Sequence, residues 1–85
     1  MAEKATKSEI EELIKYVTVN LVDAPDEVQV ALVEETDQDV YEIDVADDDI
    51  GKIIGRGGKT ARALRSIVNA SCPKAPKRIM VEILE

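Results

Sequence analysis

Residues 53–68 read IIGRGGKTARALRSIV, and this stretch decides how the rest of the chain is interpreted. It begins with a short apolar run, continues through the glycine-rich residues 55–58, and ends in a segment with helical spacing. Glycine inside a helix costs about 1 kcal/mol relative to alanine. Three glycines in four residues therefore predict a tight loop between two helices. The second helix would begin with free backbone N–H groups, which suit a phosphate.

Charge is distributed unevenly along the chain. The 85 residues carry 18 acidic and 11 basic side chains, for a net charge of −7. Residues 1–50 hold 16 acids and 3 bases, whereas residues 51–78 hold 8 bases and no acid. The field at a site depends on the charges around it rather than on the total. The glycine-rich stretch therefore lies in a locally basic region that favours an anionic ligand.

The composition argues against an enzyme and against a metal site. Histidine is absent, and with it the commonest general base and metal ligand. Cys72 is the single cysteine, so it forms neither an internal disulfide nor a zinc site. Asp47, Asp48 and Asp49 precede a short apolar segment, where helix capping explains them without an ion. We expect no catalytic residue, no metal and no cofactor.

Targeting signals are not visible in the sequence. The first residues, MAEKATKSE, are polar and lack the apolar stretch of a signal peptide. No apolar run approaches the ~20 residues that span a bilayer. The expected location is the cytoplasm, without membrane insertion.

Hydrophobic periodicity predicts six elements. A capping box at Ser8 and Glu11 starts a helix over residues 8–21. Alternating apolar residues predict an antiparallel hairpin from two strands around 28–32 and 41–45, with Tyr41 packed inside, and a last strand at 79–83. Two helices at 50–54 and 59–70 flank the glycine loop. The apolar face of the second is formed by Ala61, Leu64, Ile67 and Val68.

This order predicts an α+β fold in one domain over residues 8–85, with residues 1–7 disordered. Its helix–strand–strand–helix–helix–strand order places a three-stranded sheet against three helices.

Two familiar glycine motifs fail on these residues. A Walker A loop that ended at Gly58-Lys59-Thr60 would need a glycine where Ile53 stands. A Walker A loop also follows a buried strand, whereas the residues before this loop are predicted to be helical. A dinucleotide fingerprint that starts at Gly55 needs a glycine where Thr60 stands. Neither nucleotide-binding motif is therefore present.

The complete pattern resembles a KH domain of type II. The apolar helix Ile50-Gly51-Lys52-Ile53-Ile54, the G-x-x-G loop Gly55-Arg56-Gly57-Gly58 and the following helix match the family signature. The resemblance covers most of the chain, and the size is similar to that of the small bacterial stand-alone KH proteins of the KhpA (YlqC-like) group. It implies a three-stranded mixed sheet and binding of single-stranded RNA, with single-stranded DNA as the alternative.

The resemblance also assigns roles to individual residues. The loop would let a sugar–phosphate backbone approach closely, with cations beside it and bases in an aliphatic groove. The candidate RNA-binding residues are Gly55, Arg56, Gly57, Gly58, Lys59, Lys52, Arg62, Ile53 and Ile54. Of the two isoleucines, one is expected to pack inward and the other to line the groove. Arg65 is a further candidate for phosphate contact.

The same resemblance implies partners and a cellular role. It implies an RNA chaperone or post-transcriptional regulator with links to cell elongation and envelope homeostasis. It also implies a homodimer, a heterodimer with a larger Jag-like (KhpB/EloR) KH protein, or both. The competing hypothesis is a KH-fold protein-interaction module with little RNA binding of its own. The acidic residues 34–39 bear on this choice, since they would repel RNA if they lay near the groove.

Overall fold

The computed structural model describes residues 6–71 and 78–85 of the chain. Their element order confirms the predicted α+β fold. The helices and strands are α1 (Lys7–Val19), β1 (Gln29–Glu34), β2 (Gln38–Asp44), α2 (Ile50–Ile54), α3 (Lys59–Ser71) and β3 (Arg78–Ile83). Short 3₁₀ turns lie at Pro25–Glu27, Asp47–Asp49 and Arg56–Gly58.

The three strands form one mixed sheet in the order β1-β2-β3. β1 and β2 pair antiparallel, with Leu32 opposite Tyr41, as the predicted hairpin requires. β2 and β3 pair parallel, with Tyr41 opposite Val81. A parallel pair needs a crossover connection, and α2, the glycine loop and α3 provide it. This crossover carries the candidate site.

The core is aliphatic and lies between the helices and one face of the sheet. Tyr41 is only 1% exposed and packs at its centre, which confirms its predicted role as a strand packing residue. The other buried members are aliphatic residues from α1, α2, α3, the strands and their flanks: Ile10, Ile14, Val28, Ile43, Val45, Ile53, Leu64, Val68 and Val81.

The predicted apolar face of α3 is correct except at one residue. Ala61, Leu64 and Val68 are buried, but Ile67 is 44% exposed. A helix turns by ~100° per residue, so Ile67 lies about 100° from its buried neighbour Val68 and falls at the margin of the packed face.

The start of α1 differs from the prediction. Thr6, not Ser8, is the N-cap: its hydroxyl accepts the Glu9 N–H (3.1 Å), and the Glu9 carboxylate accepts the Thr6 N–H (2.8 Å). Both Thr6–Glu9 and Ser8–Glu11 have the capping-box spacing, so spacing alone could not choose between them. The earlier start places Lys7 within 2.5 Å of the Glu34 carboxylate and 3.6 Å of Asp39. These ion pairs tie the beginning of the helix to the hairpin.

The end of α1 is also earlier than predicted, at Val19 rather than at residue 21. Asn20 is the C-cap and donates its N–H to the Val17 carbonyl (3.2 Å). The sequence predicts disorder for residues 1–7. Positions 1–5 of this segment lie outside the described residues.

Candidate nucleic-acid interface

The glycine loop joins α2 to α3 through backbone conformations that favour glycine. α2 ends at Ile54, and Gly55 follows with φ 76° and ψ 168°. Gly57 lies in the left-handed helical region (φ 63°, ψ 19°). The Gly58 N–H donates to the Gly55 carbonyl (3.0 Å), which closes the turn immediately before α3 begins at Lys59. The predicted tight loop between two helices is therefore present.

The room for a Cβ atom differs between Gly55 and Gly57. A Cβ atom on Gly55 would overlap the Thr60 side chain and lie 2.8 Å from the Thr60 backbone nitrogen. Gly55 is thus required by packing against the first turn of α3. A Cβ on Gly57 would meet no atom within 4 Å, so this part of the loop faces open space. At Gly57 a ligand therefore has room to approach the backbone of the loop.

Three exposed cations border the loop. Arg56 belongs to the loop, and Lys59 and Arg62 lie on the first turns of α3. Arg62 reaches back to the loop, because its Nη1 atom is 3.1 Å from the point where a Gly58 Cβ would lie. In the part of the chain that the structure describes, none of the three forms an ion pair. Their charges are therefore available to an anion.

Lys52 is in a different situation from the other candidate cations. Its Nζ atom lies 3.2 Å from the Asp23 carboxylate and 3.7 Å from the Asp49 carboxylate. The hydrogen bond with Asp23 is the main reason why the pKa of Lys52 is raised above its ordinary value. An RNA phosphate would have to compete with these two carboxylates for Lys52.

Asp49 has a structural role that sequence reasoning missed. It is 2% exposed, and its carboxylate accepts the N–H groups of Asp23 (3.2 Å) and Ala24 (3.0 Å). Burial acts to raise the pKa of Asp49, but the two backbone donors and Lys52 outweigh it and hold the pKa below its ordinary value. The predicted capping role is wrong: no side chain of residues 47–49 caps the adjacent helix. Asp49, which directly precedes α2, instead holds the connection after α1 through hydrogen bonds from its backbone N–H groups.

Arg65 lies farther along α3 and also has an intramolecular partner. Its Nε donates to the Val81 carbonyl (3.2 Å), so the side chain extends to β3. Because β3 is an edge strand of the sheet, this contact satisfies a carbonyl that no neighbouring strand could pair. No sequence pattern predicts this contact, because it depends on how α3 packs beside β3.

The two isoleucines before the loop occupy different environments. Ile53 is 0% exposed and belongs to the core, whereas Ile54 is half-buried at the surface. Ile54 is therefore the one of the pair that a ligand can touch.

The acidic hairpin turn is joined to the beginnings of two other elements. The Arg78 N–H at the start of β3 donates to the Asp37 carbonyl in this turn (3.3 Å). Glu34, at the end of β1, pairs with Lys7 at the start of α1. These contacts bring α1 and β3 to the turn.

The described ranges hold neither a metal-binding cluster nor a membrane-spanning helix. Residues 6–71 and 78–85 contain no group of three or more His, Cys, Asp or Glu side chains that could hold a metal ion. In the same ranges, no helix has the length and apolarity needed to cross a membrane.

Comparison with known proteins identifies the family. The family model described as "KhpA/KhpB, KH domain" matches residues 11–83. The chain belongs to the KhpA/KhpB KH-domain family. The matched residues include the glycine loop between α2 and α3.

Several similar proteins carry the name "RNA-binding protein KhpA". The one from Clostridium acetobutylicum is 40% identical over 75 residues, which cover 88% of this chain and 100% of the relative. The one from Borreliella burgdorferi is 40% identical over 87% of this chain and 90% of its own length. The one from Caldanaerobacter subterraneus is 41% identical over 86% of this chain and 97% of its own length. The similarity to these KhpA proteins therefore extends over nearly the whole domain.

Proposed function

We propose that this KH domain is a non-enzymatic RNA-binding module that holds a short single-stranded segment at its glycine loop. The observation that carries the proposal is the open backbone at Gly57, bordered by Arg56, Lys59 and Arg62, which form no ion pair with any residue that the structure describes. The names of its KhpA relatives support the same function.

The loop and the cations would contact the sugar–phosphate backbone. Gly57 and Gly58 let the backbone approach the main chain closely because neither carries a side chain. The guanidinium groups of Arg56 and Arg62 offer forked donors to phosphate oxygens, and Lys59 adds a point charge. Lys52 would contribute less, since Asp23 and Asp49 already neutralise it.

Bases would lie beside the loop on an aliphatic surface. Ile54 supplies the exposed part of that surface, and the buried Ile53 supports it from the core without touching RNA. KH domains hold about four nucleotides. A single domain should therefore bind weakly, with a shallow dependence on salt because it makes few phosphate contacts.

We also propose that the domain acts in pairs, as a homodimer or with a larger Jag-like (KhpB/EloR) KH protein. Joining two weak sites raises the effective affinity without any new contact to RNA. On the basis of the family resemblance, the proposed role is that of an RNA chaperone or post-transcriptional regulator in the cytoplasm. The same resemblance links this role to cell elongation and envelope homeostasis.

The test uses a variant that removes the loop's affinity for phosphate. Arg56→Asp with Gly57→Asp reverses one charge and adds another, and Asp tolerates the left-handed conformation of Gly57 better than most residues. The control, Lys15→Asp with Thr36→Asp, makes the same net charge change at exposed residues of α1 and the hairpin turn.

Binding is measured by fluorescence anisotropy with a labelled single-stranded RNA at about 50 and 200 mM salt. We expect wild type and control to bind, more weakly at high salt, and the loop variant to lose binding while it stays folded by circular dichroism. Equal binding by the loop variant would refute the site. Absence of binding by wild type, tested as monomer and as dimer, would favour the protein-interaction module.

A further inference from the structure

The sheet has an outer face that points away from the helices. Side chains alternate between the two sides of a strand. Tyr41 and Val81 pack in the core, so the residues before and after each of them point to the outer side. Leu32 also packs against the core, which places Val33 on the outer side. Because α2 and α3 pack on the core side, the outer face lies apart from the glycine loop.

A row of aliphatic side chains crosses the outer face. Val33 on β1 is paired with Val40 on β2, and Val40 is paired with Met80 on β3. Val40 is only 8% exposed between its two neighbours, whereas Val33 and Met80 are 38% and 41% exposed. Scattered exposed apolar side chains need no explanation, but these three are contiguous and span the whole width of the sheet. This aliphatic row is therefore a candidate contact surface.

Two glutamates face each other in the next row of the outer face. This row follows the aliphatic row by two residues on each strand, and Glu42 is paired with Glu82 across β2 and β3. Neighbouring strands lie only about 4.8 Å apart, and like charges directly opposite each other destabilise a sheet. Within residues 6–71 and 78–85, neither glutamate forms an ion pair. A cation placed between the two carboxylates would replace this repulsion by two attractions.

We infer that the outer face docks a basic segment of another protein. An arginine or lysine of that segment would bind between Glu42 and Glu82, and an aliphatic side chain would pack on the row formed by Val33, Val40 and Met80. The two rows lie two residues apart along each strand, or roughly 6.6 Å. An extended partner presents residues i and i+2 on one side with the same spacing. The partner therefore needs an aliphatic and a basic residue two positions apart. The inference goes beyond RNA binding and does not depend on it.

The charge of the outer face favours a basic partner over the alternatives. Asp44 adds a third acid to this side of β2, two residues beyond Glu42. Arg78 is the only cation on the outer side of the three strands. An RNA backbone would therefore be repelled. Two copies of this chain stacked by this face would bring together three acids and one cation from each copy, which disfavours a symmetric dimer there.

The test uses the synthetic peptide VTRTVTR, which places its valines and arginines on one side of an extended chain. The isomer VRTTTVR has the same composition and charge, but none of its valines has an arginine two positions away. Binding is followed by the amide chemical shifts of isotope-labelled protein. We expect VTRTVTR to move the amides of residues 40–44 and 78–82, and VRTTTVR to bind about five-fold more weakly.

Two variants test the acid pair and the aliphatic row separately. Glu42→Gln with Glu82→Gln should weaken binding of VTRTVTR by about ten-fold, because the cation loses both charged partners. The same double variant should melt at a temperature roughly 1–8 °C higher, because the repulsion is relieved. Met80→Gln should weaken binding by about five-fold. The control, Glu12→Gln with Glu27→Gln, removes two acids at exposed residues elsewhere and should bind and melt as wild type does.

Four results would overturn the inference. The first is equal binding of the two peptides, or binding of neither, by wild type. The second is unchanged binding of VTRTVTR by either the Glu42/Glu82 variant or Met80→Gln. The third is a Glu42/Glu82 variant that melts at or below the wild-type temperature. The fourth is a wild-type dimer that Met80→Gln dissociates in sedimentation experiments, since it would assign the outer face to a second copy of this chain.

Discussion

Replacing Gly55 by alanine should destabilise the domain far more than the same change at Gly57. Gly55 has φ 76° and ψ 168°, a combination that only glycine adopts readily, and any other residue there costs about 1–3 kcal/mol. Its Cβ would also overlap Thr60 and approach the Thr60 nitrogen to 2.8 Å, an overpacking cost of about 1–3 kcal/mol. We therefore expect Gly55→Ala to lose roughly 2–6 kcal/mol.

Gly57→Ala serves as the matched comparison. Gly57 also has a positive φ, but its Cβ would meet nothing within 4 Å, so only the left-handed conformation costs about 1–2 kcal/mol. A domain of 85 residues has a free energy of unfolding of about 4–13 kcal/mol. Gly55→Ala should therefore remove a large part of the free energy of unfolding.

Urea unfolding followed by circular dichroism measures both variants. With a slope of about 1 kcal/mol per molar urea for so small a domain, the middle values of the two ranges place the midpoint of Gly55→Ala about 2–3 M below that of Gly57→Ala. Equal midpoints would refute the argument that Gly55 is required by packing against Thr60. A Gly55→Ala protein as stable as wild type would refute the described loop geometry altogether.

Three further predictions follow from contacts elsewhere in the domain. Thr6→Ala should lower the free energy of unfolding by about 1 kcal/mol in urea titrations, whereas Ser8→Ala should change it little; the reverse order would contradict the capping box. Asp49→Asn should be less stable than wild type at neutral pH. Because the folded pKa of Asp49 lies below its ordinary 3.8, its stabilisation is present above pH 3.8 and lost as the pH falls through the folded pKa. Urea titrations at decreasing pH should therefore show the two proteins converging, and a constant gap would contradict this. Arg62→Gln should reduce the salt slope of RNA binding by about 0.7. Lys52→Gln should reduce it less, because carboxylates already neutralise Lys52; equal reductions would contradict that difference.

The element order and the loop were predictable because each depends on local sequence. Alternating and helical spacing of aliphatic residues set the strands and helices, and three glycines in four residues set the loop. The position of Tyr41 in the core followed from the same alternation. Local sequence could not distinguish the Thr6 capping box from the one at Ser8, since both have the same spacing.

Contacts between distant parts of the chain could not be predicted in this way. Asp49 looked like a helix cap, but its partners are backbone groups of Asp23 and Ala24, about 25 residues earlier in sequence. Lys52 looked like a free cation because its partner Asp23 is also distant in sequence. Arg65 looked like a phosphate ligand, but it reaches β3. In each case the partner became visible only when the chain had folded.

The most direct test of the RNA-binding site is an NMR titration of isotope-labelled protein with single-stranded RNA. The amide shifts that change should cluster in residues 51–62, which cover α2, the glycine loop and the start of α3. Residues 35–37 of the acidic turn should remain unchanged. Shifts confined to the acidic turn or to the outer face of the sheet, or RNA binding that leaves the loop amides unchanged, would contradict the account.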